Sequence, residues 1–96
     1  MLPLREFVPT VHQFVVGHRG SSGTAPENTL ASVREALDAG ADMVELDVQL
    51  TSDQEIVVFH DAVLGRTTGG KGKVAGTTLQ SMQSLDAGAW FSEKFT

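Results

Sequence analysis

Two acidic side chains, Glu45 and Asp47, lie two positions apart in a run where apolar and polar residues alternate. Alternation with a period of two is typical of a β-strand, so residues 43–50 are predicted to form one strand with both carboxylates on its polar face. At ~3.3 Å per residue the two side chains would leave the strand roughly 6.6 Å apart. Carboxylate oxygens at this separation can reach one hard cation.

Histidines are found at the ends of two predicted strands. His60 ends a run rich in β-branched residues, and His18 and Arg19 follow the apolar run 14–17. In α/β sheets the carboxyl ends of the strands carry the active site. Imidazole, with an unperturbed pKa of about 6.5, suits proton transfer near neutrality, and the donor fork of a guanidinium matches phosphate. These residue types together predict a phosphoester site.

Each of these residues also has an ordinary structural explanation. Glu45 and Asp47 would be the solvated face of an edge strand, which is the usual reason for alternating carboxylates. His18 and Arg19 would belong to a plain strand end, and His60 would be a histidine that is satisfied by structural hydrogen bonds. The combination of two histidines, an arginine and two carboxylates at neighbouring strand ends favours the site.

The elements that must position these residues follow from local patterns. Apolar residues at helical spacing predict a helix over residues 29–39, with Asn28 or Thr29 as N-cap and Gly40 as its end. Strand, helix and strand in that order form a βαβ unit with parallel strands. The connection 51–54 is too short for a crossover and predicts an antiparallel hairpin centred on residues 52–53, which would place His60 opposite Glu45.

Beyond Asp61 the chain is dense in Gly and Thr, and residues 65–78 predict turns and short strands. Apolar spacing predicts a short helix over residues 78–85. The run Gly65–Gly72 nearly matches a nucleotide P-loop, but Gly72 stands where that motif needs Ser or Thr, and no strand-to-helix context surrounds it. We therefore reject a nucleotide site and interpret the run as a Gly-rich loop.

Composition narrows the class of protein. The 96 residues are 41% hydrophobic and 20% charged, which is typical of a soluble globular domain. A net charge of -5 argues against nucleic-acid or anionic-membrane partners, and the absence of cysteine excludes disulfides and thiolate metal sites. No run approaches the ~20 apolar residues of a membrane span. We expect a cytoplasmic protein with no nucleic-acid partner and no stable membrane anchor.

The ordered series of motifs resembles the N-terminal part of the glycerophosphodiester phosphodiesterase family. The resemblance runs from about Val16 to the last residues, and its motifs are His18-Arg19-Gly20, Pro26-Glu27-Asn28-Thr29, Glu45-Leu46-Asp47, His60-Asp61, Arg66-Thr67-Thr68-Gly69, Leu85-Asp86-Ala87-Gly88 and Trp90-Phe91. It implies an α/β fold, the N-terminal portion of a TIM (β/α)8-type barrel with a small insertion after the third strand. Residues 12–61 would supply barrel strands 1–3 and helix 1 of this single partial domain, and residues 62–96 the insertion-like segment.

The resemblance also implies an activity, the metal-dependent hydrolysis of small glycerophosphodiesters to glycerol 3-phosphate and an alcohol. By motif match, the resemblance implies that His18 and His60 are the general acid/base pair and that Arg19 contacts the phosphate. It also implies that Glu45 and Asp47 are ligands of Mg²⁺ or Ca²⁺, with Glu27 and Asn28 as supporting residues.

Departures from the family pattern leave alternatives open. Gln54 follows Asp53 where the family usually has glycine, and the family's further metal-binding carboxylate and a phosphate-contacting lysine would fall after Thr96. One alternative is a truncated, inactive module that binds metal or self-associates through open sheet edges. Another is a related phosphodiesterase acting on lysophospholipids or sphingolipids. The hairpin also departs from a regular (β/α)8 order, so we expect an irregular barrel between its second and third strands.

Overall fold

A computed structural model describes residues 14–96, so the start of the predicted partial barrel at residue 12 lies outside the described residues. The strands and helices, in chain order, are β1 (Val16–His18), α1 (Leu30–Asp38), β2 (Met43–Glu45), β3 (Val48–Leu50), β4 (Ile56–Val58), α2 (Gly65–Thr68), a 3-10 turn (Val74–Gly76), α3 (Leu79–Gln83) and a second 3-10 turn (Glu93–Phe95).

The βαβ unit is confirmed. Strands β1 and β2 are parallel, and their register places His18 beside Glu45. Helix α1 connects them, and Thr29 is its N-cap in a capping box with Ser32. The helix ends at Ala39, and Gly40 follows with a φ of +90°, a left-handed conformation that glycine adopts without a steric penalty. Thr29 and Gly40 thus bound the helix as the sequence predicts.

Small residues of α1 form its buried face. Ser32 is 0% exposed and Ala36 is 4% exposed, whereas Leu30 of the apolar stripe is 73% exposed. Small residues are needed there because α1 lies close to β1: a Cβ on Gly17 of β1 would be only 3.0 Å from the Cβ of Ala36. The apolar periodicity correctly predicts the helix but not the side that packs on β1 and its loop.

The single strand predicted over residues 43–50 is wrong, because β2 and β3 belong to different two-stranded sheets. The break falls at Leu46 and Asp47. Asn28 Oδ1 accepts the Asp47 N–H at 3.2 Å, and the Asp47 carbonyl accepts from Phe59 N at 2.8 Å. Because these bonds use the Asp47 backbone, the chain leaves β1 there and continues beside β4.

The β3–β4 hairpin is antiparallel, as predicted, but its register differs by one residue. Val48 pairs with Val58 instead of Val57. The loop has three residues, 52–54, because Thr51 N donates to the Glu55 carbonyl, and Gln54 takes a left-handed φ of +62°. The predicted pairing of His60 with Glu45 is therefore wrong, since Glu45 pairs with His18.

The segment after Asp61 is more helical than predicted. Residues 65–68 form the short helix α2, and strand pairing in the segment is limited, within the described part of the chain, to one bridge between Val63 and Lys73. Helix α3 is close to the predicted helix, with Thr78 as its N-cap. Met82 of α3 and Leu85, just after the helix, pack with Val57 against a small core. Its buried residues are Phe59, Leu64 and Val74.

Many large apolar side chains of the described residues remain exposed. The exposed fraction is 61% for Val48, 55% for Leu50 and 71% for Ile56. Gln49 is instead half-buried, and its Nε2 donates to the carbonyls of Phe59 and Asp61. On β3 the polar residue Gln49 is thus on the more buried side of the strand, and the apolar residues Val48 and Leu50 are on the exposed side. No helix within residues 14–96 is long and apolar enough to cross a membrane.

Candidate active site

The ends of the parallel strands β1 and β2 bring together one histidine and one carboxylate of the predicted site. His18 Nε2 lies 3.6 Å from Glu45 Oε2, and the two side chains are 65% and 44% exposed. Both are last residues of their strands and are paired in the ladder, so the backbone places them side by side. This is the carboxyl edge of the sheet, where the sequence predicts the site.

The loop after His18 is held against α1 by a buried serine. Ser32 Oγ donates to the Arg19 carbonyl at 3.0 Å, and Ser21 N donates to the Ser32 carbonyl at 2.9 Å. Arg19 has a φ of +55° and Gly20 a φ of +80°. A Cβ on Gly20 would overlap Ser32, so only glycine fits at this position. The left-handed turn directs the chain from the strand end back over the helix.

Arg19 lies among carboxylates. Its Nη1 donates to both oxygens of Glu27, at 3.4 and 3.3 Å, and its Nε lies 3.2 Å from Asp47 Oδ2. Asn28 Nδ2 donates to the same Asp47 oxygen at 3.0 Å. Glu27 and Asn28, predicted as supporting residues, therefore hold Arg19 and Asp47 in place.

His60 forms a dyad with the next residue. Its Nδ1 lies 2.7 Å from Asp61 Oδ1, and Arg66 donates to both Asp61 oxygens, at 2.8 and 3.0 Å. The hydrogen bonds from Arg66, and then the one from His60, hold the pKa of Asp61 well below its usual range. An ionised carboxylate only accepts hydrogen bonds, so the tautomer of His60 that fits this geometry has its proton on Nδ1.

Arg66 is the site residue that our reasoning from sequence missed. Its Nη1 and Nη2 donate to Glu27 at 2.9 and 2.8 Å, which completes a second two-bond fork on the same guanidinium. These hydrogen bonds, led by Asp61 and then Glu27, raise the pKa of Arg66, and Arg66 lowers that of Glu27. The signal for it in the sequence is the motif Arg66-Thr67-Thr68-Gly69, one of those that carry the resemblance.

A continuous network thus connects most of the predicted site. It runs from His60 through Asp61, Arg66, Glu27 and Arg19 to Asp47, and Asn28 joins it at Asp47. His18 and Glu45 form a separate pair, one residue before Arg19 and two residues before Asp47 in the chain. All seven predicted residues lie in one of these two groups.

The donor set fits a hard divalent cation in part. Glu45 and Asp47 supply carboxylate oxygens, the ligands that Mg²⁺ and Ca²⁺ prefer. Asp47 Oδ2 already contacts Asn28 and Arg19, and Glu45 Oε2 lies 3.6 Å from His18 Nε2. Among residues 14–96 no three His, Asp or Glu side chains are close enough to hold a metal together. The two carboxylates can therefore form only part of a coordination shell.

Comparison with known proteins gives the family. Residues 18–96 match the sequence profile of the Glycerophosphoryl diester phosphodiesterase family. The chain belongs to this family. It is 52% identical over 81 residues to a glycerophosphodiester phosphodiesterase of Caldanaerobacter subterraneus, covering 84% of this chain and 33% of the relative. It is 48% identical over 80 residues to a Bacillus subtilis enzyme of the same name, covering 83% and 27%.

Solved structures agree with the family assignment. A glycerophosphodiester phosphodiesterase of Agrobacterium tumefaciens superposes with a TM-score of 0.86 at 44% identity, over 88% of this chain and 37% of that one. An Oleispira antarctica phosphodiesterase in complex with the product sn-glycerol-3-phosphate superposes with a TM-score of 0.87 at 46% identity, over 95% and 35%. These neighbours are TIM-barrel enzymes. The chain spans about a third of the length of the relatives it matches.

Proposed function

We propose that the protein containing this chain hydrolyses glycerophosphodiesters to glycerol 3-phosphate and an alcohol with the help of a divalent metal ion. The observation that carries the proposal is the His60–Asp61 dyad, at 2.7 Å, on a network that reaches Arg19 and Asp47 in a member of this family. A neighbour holding sn-glycerol-3-phosphate as product supports the substrate class.

His18 and His60 are proposed as the acid/base pair. His60 presents Nε2 for proton transfer because Asp61 accepts from Nδ1, and His18 Nε2 lies beside the Glu45 carboxylate. One histidine takes the proton from the oxygen nucleophile while the other protonates the departing alkoxide. The nucleophile is either water or the substrate's own glycerol hydroxyl, which would give a cyclic phosphate first.

Arg19 and the two carboxylates are proposed to bind the phosphodiester and the metal ion. Arg19 is held by Glu27 at 3.3 Å and offers its guanidinium to a phosphate oxygen. Glu45 and Asp47 are proposed ligands of Mg²⁺ or Ca²⁺, with the rest of the shell coming from water, substrate or other residues. A cation there would supply Lewis-acid polarisation of the phosphoryl oxygen. The arginine side chain, for its part, orients the phosphodiester.

The histidine assignment is tested by substitution in the intact protein. His18→Ala and His60→Ala are each expected to lower the kcat for glycerophosphocholine at least ~100-fold, since general acid/base groups contribute about 10²–10⁴-fold. Hydrolysis is measured by the release of glycerol 3-phosphate, with Mg²⁺ and Ca²⁺ supplied in parallel. Near-normal turnover in either variant would refute its assigned role.

A second candidate rests on the exposed apolar surface. The chain by itself would be an inactive module that binds metal or self-associates, because apolar side chains of α1, β3 and β4 are uncovered in the described residues. Titration of the 96-residue chain with Mg²⁺ or Ca²⁺ by calorimetry, beside a hydrolysis assay, separates the two candidates. Metal binding without turnover would favour the module, and turnover would refute it.

Finer features remain part of the proposal. Residues 62–96 would form a small insertion at the barrel mouth, where the contacts of Arg66 with Glu27 support a position next to the site. The absence of nucleic-acid partners is supported by the net charge of -5. A cytoplasmic location stays a prediction. A substrate panel that includes lysophospholipids and sphingolipids would decide between this activity and that of a related phosphodiesterase.

A further inference from the structure

Arg66 occupies a position in the network that the proposed acid/base chemistry does not use. Its guanidinium makes two hydrogen bonds to Asp61 and two to Glu27, all between 2.8 and 3.0 Å. Neither carboxylate is a proposed metal ligand, and neither is a proposed acid or base. A planar fork that binds two carboxylates at once fixes the position of both, which a point charge such as lysine does not do.

Both carboxylates that Arg66 holds contact residues of the proposed chemistry. Asp61 accepts from His60 Nδ1, and Glu27 accepts from Arg19 Nη1. Arg66 itself is approached from another side by Trp90, whose ring centroid lies 5.7 Å from Arg66 Cζ. Arg66 thus lies between the side chain that would exchange protons and the side chain that would bind phosphate.

We propose that Arg66 is a positioning residue, which holds Asp61 so that His60 keeps its proton on Nδ1 and exchanges protons with the substrate through Nε2. The inference rests on the proposed function. Without the fork, the Asp61 carboxylate can rotate and the His60 ring can change its tautomer or orientation. Hydrogen-bond partners that orient the ligands of a metal site typically contribute about 10–100-fold to activity, and we expect a similar contribution from Arg66, which orients a proton-exchanging side chain.

The test is Arg66→Lys in the intact protein, which keeps the charge and removes the fork. We expect the kcat for glycerophosphocholine to fall about 10–100-fold with KM changed by less than about 3-fold. Arg34→Lys is the matched control, because Arg34 is exposed on α1 and is not one of the residues of the network. A direct phosphate contact by Arg66 would instead raise KM with kcat unchanged, which would overturn the proposal.

A double-mutant cycle distinguishes positioning of His60 from a general structural role. If Arg66 acts through His60, Arg66→Lys in a His60→Gln background is expected to lower the residual kcat less than 2-fold. A loss in that background as large as in the wild type would overturn the proposal. Asp61→Ala, which removes the carboxylate between Arg66 and His60 while leaving the Arg66–Glu27 fork, should give a loss of kcat at least as large as that of Arg66→Lys; wild-type kcat there would also overturn the proposal.

A measurement that does not depend on turnover separates this inference from the proposed function. It is made on the wild-type protein, so it does not depend on whether a variant folds. Nitrogen-15 NMR of the histidine rings in the intact wild-type protein is expected to show neutral His60 with its proton on Nδ1. A proton on Nε2 would overturn the proposal. If the wild type shows the Nδ1 proton but hydrolyses no glycerophosphodiester, the proposed function fails while the positioning geometry stands. If the wild type is active and Arg66→Lys retains its kcat, the positioning role alone fails.

Discussion

At the scale of single residues, charge compensation decides what each site carboxylate can do. Glu27 is only 10% exposed as a side chain and accepts from Arg66 at 2.8 Å, which lowers its pKa. Asp61 is held ionised by the same guanidinium. Both carboxylates therefore act as fixed acceptors that orient their neighbours, whereas Glu45, with a side chain 44% exposed, is open to a ligand.

The lowered pKa of Glu27 and of Asp61 predicts loss of stability in acid. A carboxyl whose folded-state pKa is depressed binds fewer protons folded than unfolded, so its contribution is complete above the unfolded values of about 3.9–4.3 and is lost as pH falls through the folded values. Glu27→Gln is expected to lower the free energy of unfolding at pH 7 by on the order of 2 kcal/mol and to make the decline below about pH 4 shallower.

Urea unfolding from pH 7 to pH 2 measures this dependence. Glu55→Gln, which removes an exposed carboxyl outside the cluster, is the control and should leave the free energy of unfolding at pH 7 within about 0.5 kcal/mol of wild type. If the free energy of unfolding of Glu27→Gln fell as steeply below about pH 4 as that of the wild type, the pair with Arg66 would contribute nothing to the pH dependence.

At the scale of elements, patterns local in sequence predicted more than pairing did. The Thr29 cap, helix α1 and the parallel β1–β2 pair follow from spacing and turn chemistry. The break at Asp47 could not be predicted locally, because it depends on the hydrogen bond that Asp47 N donates to Asn28 Oδ1, 19 residues earlier in the chain. The hairpin register likewise depends on Gln54 taking a left-handed conformation as the third loop residue, whereas in the predicted two-residue turn Gln54 would already belong to the strand.

Close packing of α1 against the loop after β1 predicts a large effect at Gly20. Gly20→Ala combines a left-handed φ of +80° with overlap on Ser32 and is expected to destabilise the fold by roughly 2–4 kcal/mol. Gly40→Ala has a similar φ of +90° but no atom near the added Cβ, so about 1–2 kcal/mol is expected there. Thermal unfolding of both variants isolates the packing component, and equal losses would contradict the close approach to Ser32.

At the scale of the whole molecule, the motif series predicted the family, and each predicted site residue lies in one of the two contact groups. The role of Arg66 could not be predicted from spacing, since its partner Glu27 lies 39 residues away and only the folded segment after Asp61 brings them together. The exposure of the apolar residues of β3 and β4 could not be predicted either, because a period of two indicates which residues share a face of a strand but not what covers that face.

The uncovered apolar surface predicts that the 96-residue chain associates with itself. Leu30 is 73% exposed and Ile56 is 71% exposed, so burial against a second copy would be favourable at about 25 cal/mol per Å² of apolar area. Sedimentation at rising concentration is expected to show dimers or larger species, and Ile56→Lys or Leu30→Lys should weaken association at least ~10-fold, because a buried charge opposes it. Gln80→Lys adds the same charge at an exposed polar position and serves as the control. A monomer at every concentration would exclude self-association, and equal weakening by all three substitutions would indicate that net charge, rather than the apolar surface, controls it.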